Sequence, residues 1–143
     1  MDHVAIMRKS WGLTEKILTR EKRIESRWYK FKRKPWDSIK VGDTVYFKNS
    51  GEPISIKAEV KKVIRFSGLT PRKVLAILKK YGKDDGIEPE KIKKFNTMFK
   101  NKKYCILIFL KNQKRIKPFE INKRGFGAMA AWIITRNISN IKR

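Results

Sequence analysis

Ile54-Ser55-Ile56-Lys57-Ala58-Glu59-Val60-Lys61-Lys62-Val63-Ile64-Arg65-Phe66 alternates apolar and polar side chains up to Val60, breaks step at the paired lysines, and resumes at Val63. Successive side chains of a strand point to opposite faces, so this alternation predicts one long half-buried strand. The doubled lysine predicts a slip in register near Lys61 and Lys62. Working outward, Val41-Gly42-Asp43 reads as a turn into the strand TVYFK, and Asn49-Ser50-Gly51-Glu52-Pro53 as the turn that leads to the long strand. On the other side, Thr70-Pro71 opens a helix through about Tyr81, with Thr70 as N-cap and Pro71 at the first helical position.

A second helix over 88–100 carries Ile92, Phe95 and Phe99 on one face. Residues 103–110 form a nearly continuous apolar run, which predicts a central strand, and residues 114–121 alternate again. The glycines of Gly125-Phe126-Gly127 allow a tight turn before the buried stretch AWIIT. Upstream, 3–8 reads as a short strand, 11–19 as a helix capped by Ser10, and 23–30 as an extended segment. Strands predominate, and the regular strand–helix alternation of a crossover series is absent. The expected class is α+β: a small mixed β-barrel with helices packed outside. The length of 143 residues suits one domain over 1–143, with a helical insertion at about 68–101 and a loose C-terminal tail at 137–143.

Charge is the dominant compositional signal. Thirty-seven Lys and Arg oppose 13 Asp and Glu, a formal net charge of +24. An ordinary small soluble domain carries a net charge of magnitude about 2–8. Such an excess attracts polyanions, and each phosphate contact releases counterions, so affinity should fall steeply with salt. Hydrophobic residues at 41% are enough for a packed core, which separates this chain from a disordered basic tail. No stretch is long and apolar enough to span a bilayer, and MDHVAIMRKSW lacks the pattern of a signal peptide. A cytoplasmic monomer with a nucleic-acid partner, and no membrane partner, is therefore expected. One His and one Cys exclude a zinc site built from those ligands, and no cofactor or metal is expected. Cys105 lies inside YCILIFL and reads as a core residue. A Ser-His-Asp triad would have to use His3, near the terminus, so no such triad is expected.

Residues 20–27 read Arg-Glu-Lys-Arg-Ile-Glu-Ser-Arg. This resembles the signature of the ASCH family, within the PUA-like superfamily: Gly-x-Lys-x-x-Glu-x-Arg. Lys22, Glu25 and Arg27 fall at its Lys, Glu and Arg positions, while Arg20 stands where the family has Gly. The preceding strand and helix, and Ile39-Lys40-Val41-Gly42-Asp43-Thr44-Val45 after the motif, also fit that family. The resemblance implies a PUA-like barrel whose cleft is lined by the motif and binds RNA. Related domains include small hydrolases acting on modified cytidine and ribonucleases, which here would use Lys22 and Glu25. In the amidohydrolases, however, a Thr stands three residues after the Lys, where this chain has Glu25.

The residues themselves support a polar cleft. Glu25 and Arg27 are two apart in an extended segment and so share a face, a carboxylate beside a guanidinium able to fix a base edge. The competing reading is a surface ion pair worth under about 1 kcal/mol. From Arg20 to Lys34, eight of fifteen residues are Lys or Arg, among them Arg23, with Trp28, Tyr29 and Phe31 threaded between them and Trp36 just beyond. Cations that track a backbone and rings that stack on bases are the mixture single-strand binders use. Trp28 and Trp36 are candidate stacking residues or, alternatively, core anchors. Lys48 and Ser50, at the end of the TVYFK strand, are candidate contacts at a barrel mouth. Three functions follow: RNA binding that reads a single-stranded, flipped or modified nucleotide; hydrolysis of a modified nucleoside or RNA; or a basic assembly factor of a ribosomal or transcription complex.

Overall fold

The computed structural model describes residues 1–127 and 129–143. Six strands form one sheet: β1 (Asp2–Met7), β2 (Ile24–Tyr29), β3 (Thr44–Asn49), β4 (Ile54–Phe66), β5 (Tyr104–Phe119) and β6 (Trp132–Thr135). Their order is β2-β5-β4-β3-β1-β6. Only β1 and β3 run parallel; the other neighbours are antiparallel, so the sheet is mixed as expected. All six strands send side chains to a single apolar cluster, from Tyr29 on β2 through Ile106, Ile56, Phe47 and Ala5 to Trp132 on β6. A flat sheet this wide could not bring its two edges to one cluster. The sheet therefore curls into a half-barrel whose edges, β2 and β6, face each other across an open seam.

The long strand over 54–66 is present, and its register slips between Val60 and Lys62, at the doubled lysine. The runs at 103–110 and 114–121 belong to one strand, not two. Lys111 pairs with Glu59 and Lys114 with Lys57, so Asn112 and Gln113 together face a single partner position. Asn112 takes φ 56°, a left-handed conformation that asparagine tolerates better than most residues. The bulge bends β5 without ending it.

Among the described residues, three α-helices pack with the sheet: α1 (Leu13–Thr19), α2 (Pro71–Tyr81) and α3 (Ile92–Phe99). Thr70 caps α2 by accepting from the Lys73 amide at 3.3 Å, with Pro71 in the first turn. Ser10 does not cap α1. It lies in a short 3-10 turn, and Gly12, at φ 64°, begins the helix. The α2–α3 hairpin packs Val74, Leu78 and Phe95 against Ile24, Trp28, Cys105 and Leu107 on the convex side of β2 and β5. Cys105 is fully buried, as its setting in the sequence predicts.

The C-terminal segment is not loose. Ile138 and Ile141 pack beside Val4, Tyr46 and Ile133. The Asn122 amide donates to the Ile141 carbonyl at 2.7 Å and the Arg143 amide to that of Glu120 at 2.9 Å. Isoleucines spaced along an otherwise polar tail give it an apolar face to dock. Among the described residues, no helix is long and apolar enough to cross a membrane.

Candidate functional site

The motif leaves α1 through a tight reversal. Arg20 ends the helix at φ 64°, the left-handed geometry that a glycine adopts at no cost. The turn geometry is thus kept with an arginine, at a cost of about 1–2 kcal/mol. Beyond it, the Lys22 amide donates to the Lys16 carbonyl at 3.0 Å, and Lys22 turns inward with only 1% exposure.

A lysine this deeply buried needs partners for all three donors. Lys22 Nζ donates to the Asp85 carbonyl at 2.8 Å and to Asp85 Oδ1 at 2.5 Å, and lies 3.2 Å from Glu25 Oε1. On the other side of Glu25, Arg27 Nε donates to Oε2 at 2.9 Å, and Arg27 Nη2 lies 2.8 Å from the same atom. Ser26 Oγ is 2.5 Å from Asp85 Oδ2 and accepts from Trp28 Nε1 at 3.1 Å. Lys22, Glu25 and Arg27 therefore converge, and the Glu25–Arg27 contact is the one their spacing predicts. The pair is largely buried, so the surface ion-pair reading does not hold.

Asp85 is the site residue that sequence reasoning missed. It comes from the loop after α2, where Asp84-Asp85-Gly86 makes a turn, and the signal available was two acids beside a glycine in an acid-poor chain. Gly86, at φ 80°, lies against the Lys22 stem. A Cβ there would meet Lys22 Cβ at 3.1 Å, so this turn accepts a side chain only with adjustment.

The charges hold one another in place. Burial works against the Lys22 ammonium, but Asp85 and Glu25 together leave its pKa raised. Burial likewise penalises the Glu25 carboxylate, yet Lys22 and Arg27 hold it below the ordinary range. Asp85 goes the other way: burial, reinforced by the charge of Glu25, pushes its carboxyl up despite Lys22 and Ser26.

This cluster floors a cavity of about 300 Å³ at the seam. Its walls are mostly aromatic: Trp11, Trp28, Phe95 and Phe99. Trp28 stacks on Phe99 at 4.9 Å with an interplanar angle of 5°, and Trp11 meets Phe95 edge-on at 5.4 Å. The face of α3 that carries Phe95 and Phe99 thus becomes a wall of the site. Met7 and Arg8 from the end of β1 and Ala131 ahead of β6 close the far side. Arg27 spans the seam. Its guanidinium lies 5.1 Å from the Trp132 ring and points toward the Ala131 carbonyl at 3.4 Å.

Other expected contacts lie elsewhere. Trp36, at 7% exposure, belongs to the half-barrel core, edge-on to Tyr104 at 5.4 Å. Lys48 follows Phe47, which faces that core, so strand alternation turns Lys48 to the opposite side of the sheet from the core. There burial and the nearby Lys123 lower its pKa. Ser50 is exposed in the turn after β3, its amide donating to the Met7 carbonyl at 2.9 Å, and it does not line the cavity. Arg20 and Arg23 are exposed on the outside of the reversal, with Arg23 Nε donating to the Arg20 carbonyl at 3.2 Å. Trp28 lines the cavity, and so does Trp11.

At the level of sequence, no family profile and no curated protein matches the chain. Solved structures do. ASCH from Zymomonas mobilis superposes with a TM-score of 0.69 at 12% identity, covering 99% of this chain and 96% of that one. A mutant form of the same protein gives 0.69 at 12%, covering 97% and 93%. The chain has the ASCH fold. The hypothetical protein PH0355 gives a TM-score of 0.51 at 22% identity over 81% of this chain and 100% of that one. The curled sheet with helices packed outside matches the PUA-like fold that the motif implied.

Proposed function

We propose that this chain is a single-stranded RNA-binding domain that takes one nucleobase into the seam cavity. The observation that carries the reading is the buried Lys22–Glu25–Arg27–Asp85 cluster beneath aromatic walls, in a chain of net charge +24. A cavity of about 300 Å³ is at the small end of the range for ligand sites. Its aromatic walls suit stacking on a base, and its charged groups are the Lys22–Glu25–Arg27–Asp85 cluster and Arg8 on the far side. Glu25 Oε1 has a further acceptor position to offer an exocyclic amine, and Arg27 Nη1 a donor to offer a carbonyl or phosphate oxygen. The base must be unstacked to enter, which favours a single strand over an A-form duplex. RNA is chosen over DNA on the analogy of the PUA-like fold.

The hydrolase alternative asks Lys22 to act as a nucleophile with a depressed pKa. Its three donors are engaged and its pKa is raised, which speaks against that role. The test is fluorescence anisotropy with labelled single-stranded RNA, matched single-stranded DNA and duplex RNA over a salt series. The single strand should bind best, with a steep salt dependence, and Arg27→Ala should weaken it by about 1–3 kcal/mol. No association at low salt, or equal binding by wild type and Arg27→Ala, defeats the proposal. Turnover of a modified nucleoside or RNA that disappears in Lys22→Ala would replace it with the hydrolase.

A further inference from the structure

Two more recesses adjoin the cavity, and all three meet at Tyr29. The first, about 240 Å³, shares Trp28 with the cavity and is lined by Lys30, Phe31, Arg33 and Lys102. The second, about 370 Å³, shares Arg27 and Ala131 with it and is lined by Arg33, Lys34, Met129 and Trp132. Trp28 and Arg27 alternate on β2, so the recesses lie on opposite faces of the end of that edge strand. Each holds at least two side-chain cations, and neither has a carboxylate in its lining. Phe31 is 79% exposed and Met129 94% exposed, so each recess carries an apolar group held out to solvent among cations. Phe31 in particular holds a ring face free for stacking beside those cations. Tyr29 is held in place where the recesses meet: its hydroxyl donates to the Lys34 carbonyl at 2.9 Å, and burial pushes its pKa up to about 12, so it stays neutral.

We infer that these recesses are flanking nucleotide subsites, one on each side of the base in the cavity, and that the strand crosses the end of β2 around Tyr29. This rests on the binding reading above and extends it. The ligand is a stretch of at least three unpaired nucleotides. The base of one flanking nucleotide stacks on Phe31, its phosphate lies against Arg33 and Lys102, and the other flanking phosphate lies against Lys34. Alternating cations and ring faces are what a sequence-tolerant strand track requires. A free nucleoside or mononucleotide would leave both recesses empty. Filled recesses would mark a reader of RNA chains, and empty ones a receptor for small nucleotides.

The experiment is a length series of single-stranded oligocytidylates, whose base carries both an exocyclic amine and a carbonyl, from mononucleotide to pentanucleotide, titrated against the wild type and against Phe31→Ala, Arg33→Ala and Arg27→Ala. Phe31 and Arg33 are exposed, so those two variants should fold, which circular dichroism checks. Affinity should rise steeply up to the trinucleotide and level off beyond it. Phe31→Ala and Arg33→Ala should each weaken the pentanucleotide by roughly fivefold to a hundredfold, the range of one lost stacking contact for Phe31 and of one lost charged hydrogen bond for Arg33, and leave the mononucleotide unchanged. Arg27→Ala should weaken every length. Equal affinity at all lengths, with Phe31→Ala and Arg33→Ala silent, overturns the flanking subsites and leaves the cavity reading standing. Failure of every length to bind in dilute buffer overturns both.

Discussion

Among the described residues, the seam cluster and the His3 network are both buried and polar, and they are built on different principles. At the seam, Lys22, Glu25, Arg27 and Asp85 place four ionisable groups beneath an open cavity. Deep between β1, β3 and β6, His3 Nε2 lies 2.8 Å from Asp43 Oδ2, while His3 Nδ1 accepts from Trp132 Nε1 at 3.0 Å. That second network has one neutral ring as its hub. Because Nδ1 accepts, Nε2 carries the proton and donates to Asp43, and burial lowers the His3 pKa. Neither His3 nor Asp43 lines the seam cavity or its two flanking recesses, and the network ties the start of β1 to its neighbours. Full charges are costly to bury and are often no more stabilising than a well-packed apolar substitute. The seam cluster therefore points to a use beyond stability, and the His3 network does not.

Removing one charge from the seam should produce the largest effect. Lys22→Met leaves the buried Asp85 without a cation and Glu25 with Arg27 alone, and should cost about 3–5 kcal/mol of stability, measured by urea unfolding. His3→Phe should cost less, about 1–3 kcal/mol, because it strands the Trp132 donor while Asp43, though it loses one donor, keeps the Lys40 amide at 3.2 Å and the N-terminal ammonium at 3.6 Å. It should also leave RNA affinity nearly unchanged. If His3→Phe weakened RNA binding as much as Arg27→Ala, the functional division between the networks would fail.

The pH dependence separates them by sign. The folded-state pKa of His3 is lowered, so its stability contribution is present above the ordinary value of 6.5 and is lost as pH falls through that region. The Asp85 carboxyl is raised, so the folded chain takes up that proton first, and stability should rise as pH falls through the raised value. Glu25, held low, contributes above the ordinary carboxylate value and loses its contribution last, as pH falls through its depressed value. Melting temperatures across an acid series should therefore lose their decline near 6.5 in His3→Phe and their rise at lower pH in Asp85→Asn. The smallest effect is at the turn into the motif. Arg20→Gly should stabilise by about 1 kcal/mol by relieving the left-handed backbone, seen as a higher urea midpoint with an unchanged slope.

How far the sequence reached depends on chain distance. The strands of 54–66 and 24–29 were legible because alternation is local, and the Lys61–Lys62 slip was legible because two polar residues in a row break that alternation. Glu25 and Arg27 were legible as a pair for the same reason. Asp85 was not: it lies 63 residues from Lys22 and reaches it only because the α2–α3 hairpin folds back over β2. The joining of 103–110 and 114–121 was hidden because a polar interruption reads as a loop, whereas Asn112 absorbs it in a bulge. Trp36 and Trp28 looked alike in the sequence, each an aromatic among cations. One packs into the half-barrel core and the other lines the seam, a difference that only the curl of the sheet decides.

Trp132 belongs to both networks: its indole nitrogen serves His3, and its ring lies beneath Arg27. Two more of the four tryptophans, Trp11 and Trp28, line the cavity, while Trp36 is sealed in the core as a constant background. The protein thus carries an intrinsic optical reporter. Occupancy of the seam should quench or shift its own emission, so that unlabelled ligands can be ranked by eye of the spectrometer alone, without a dye on either partner.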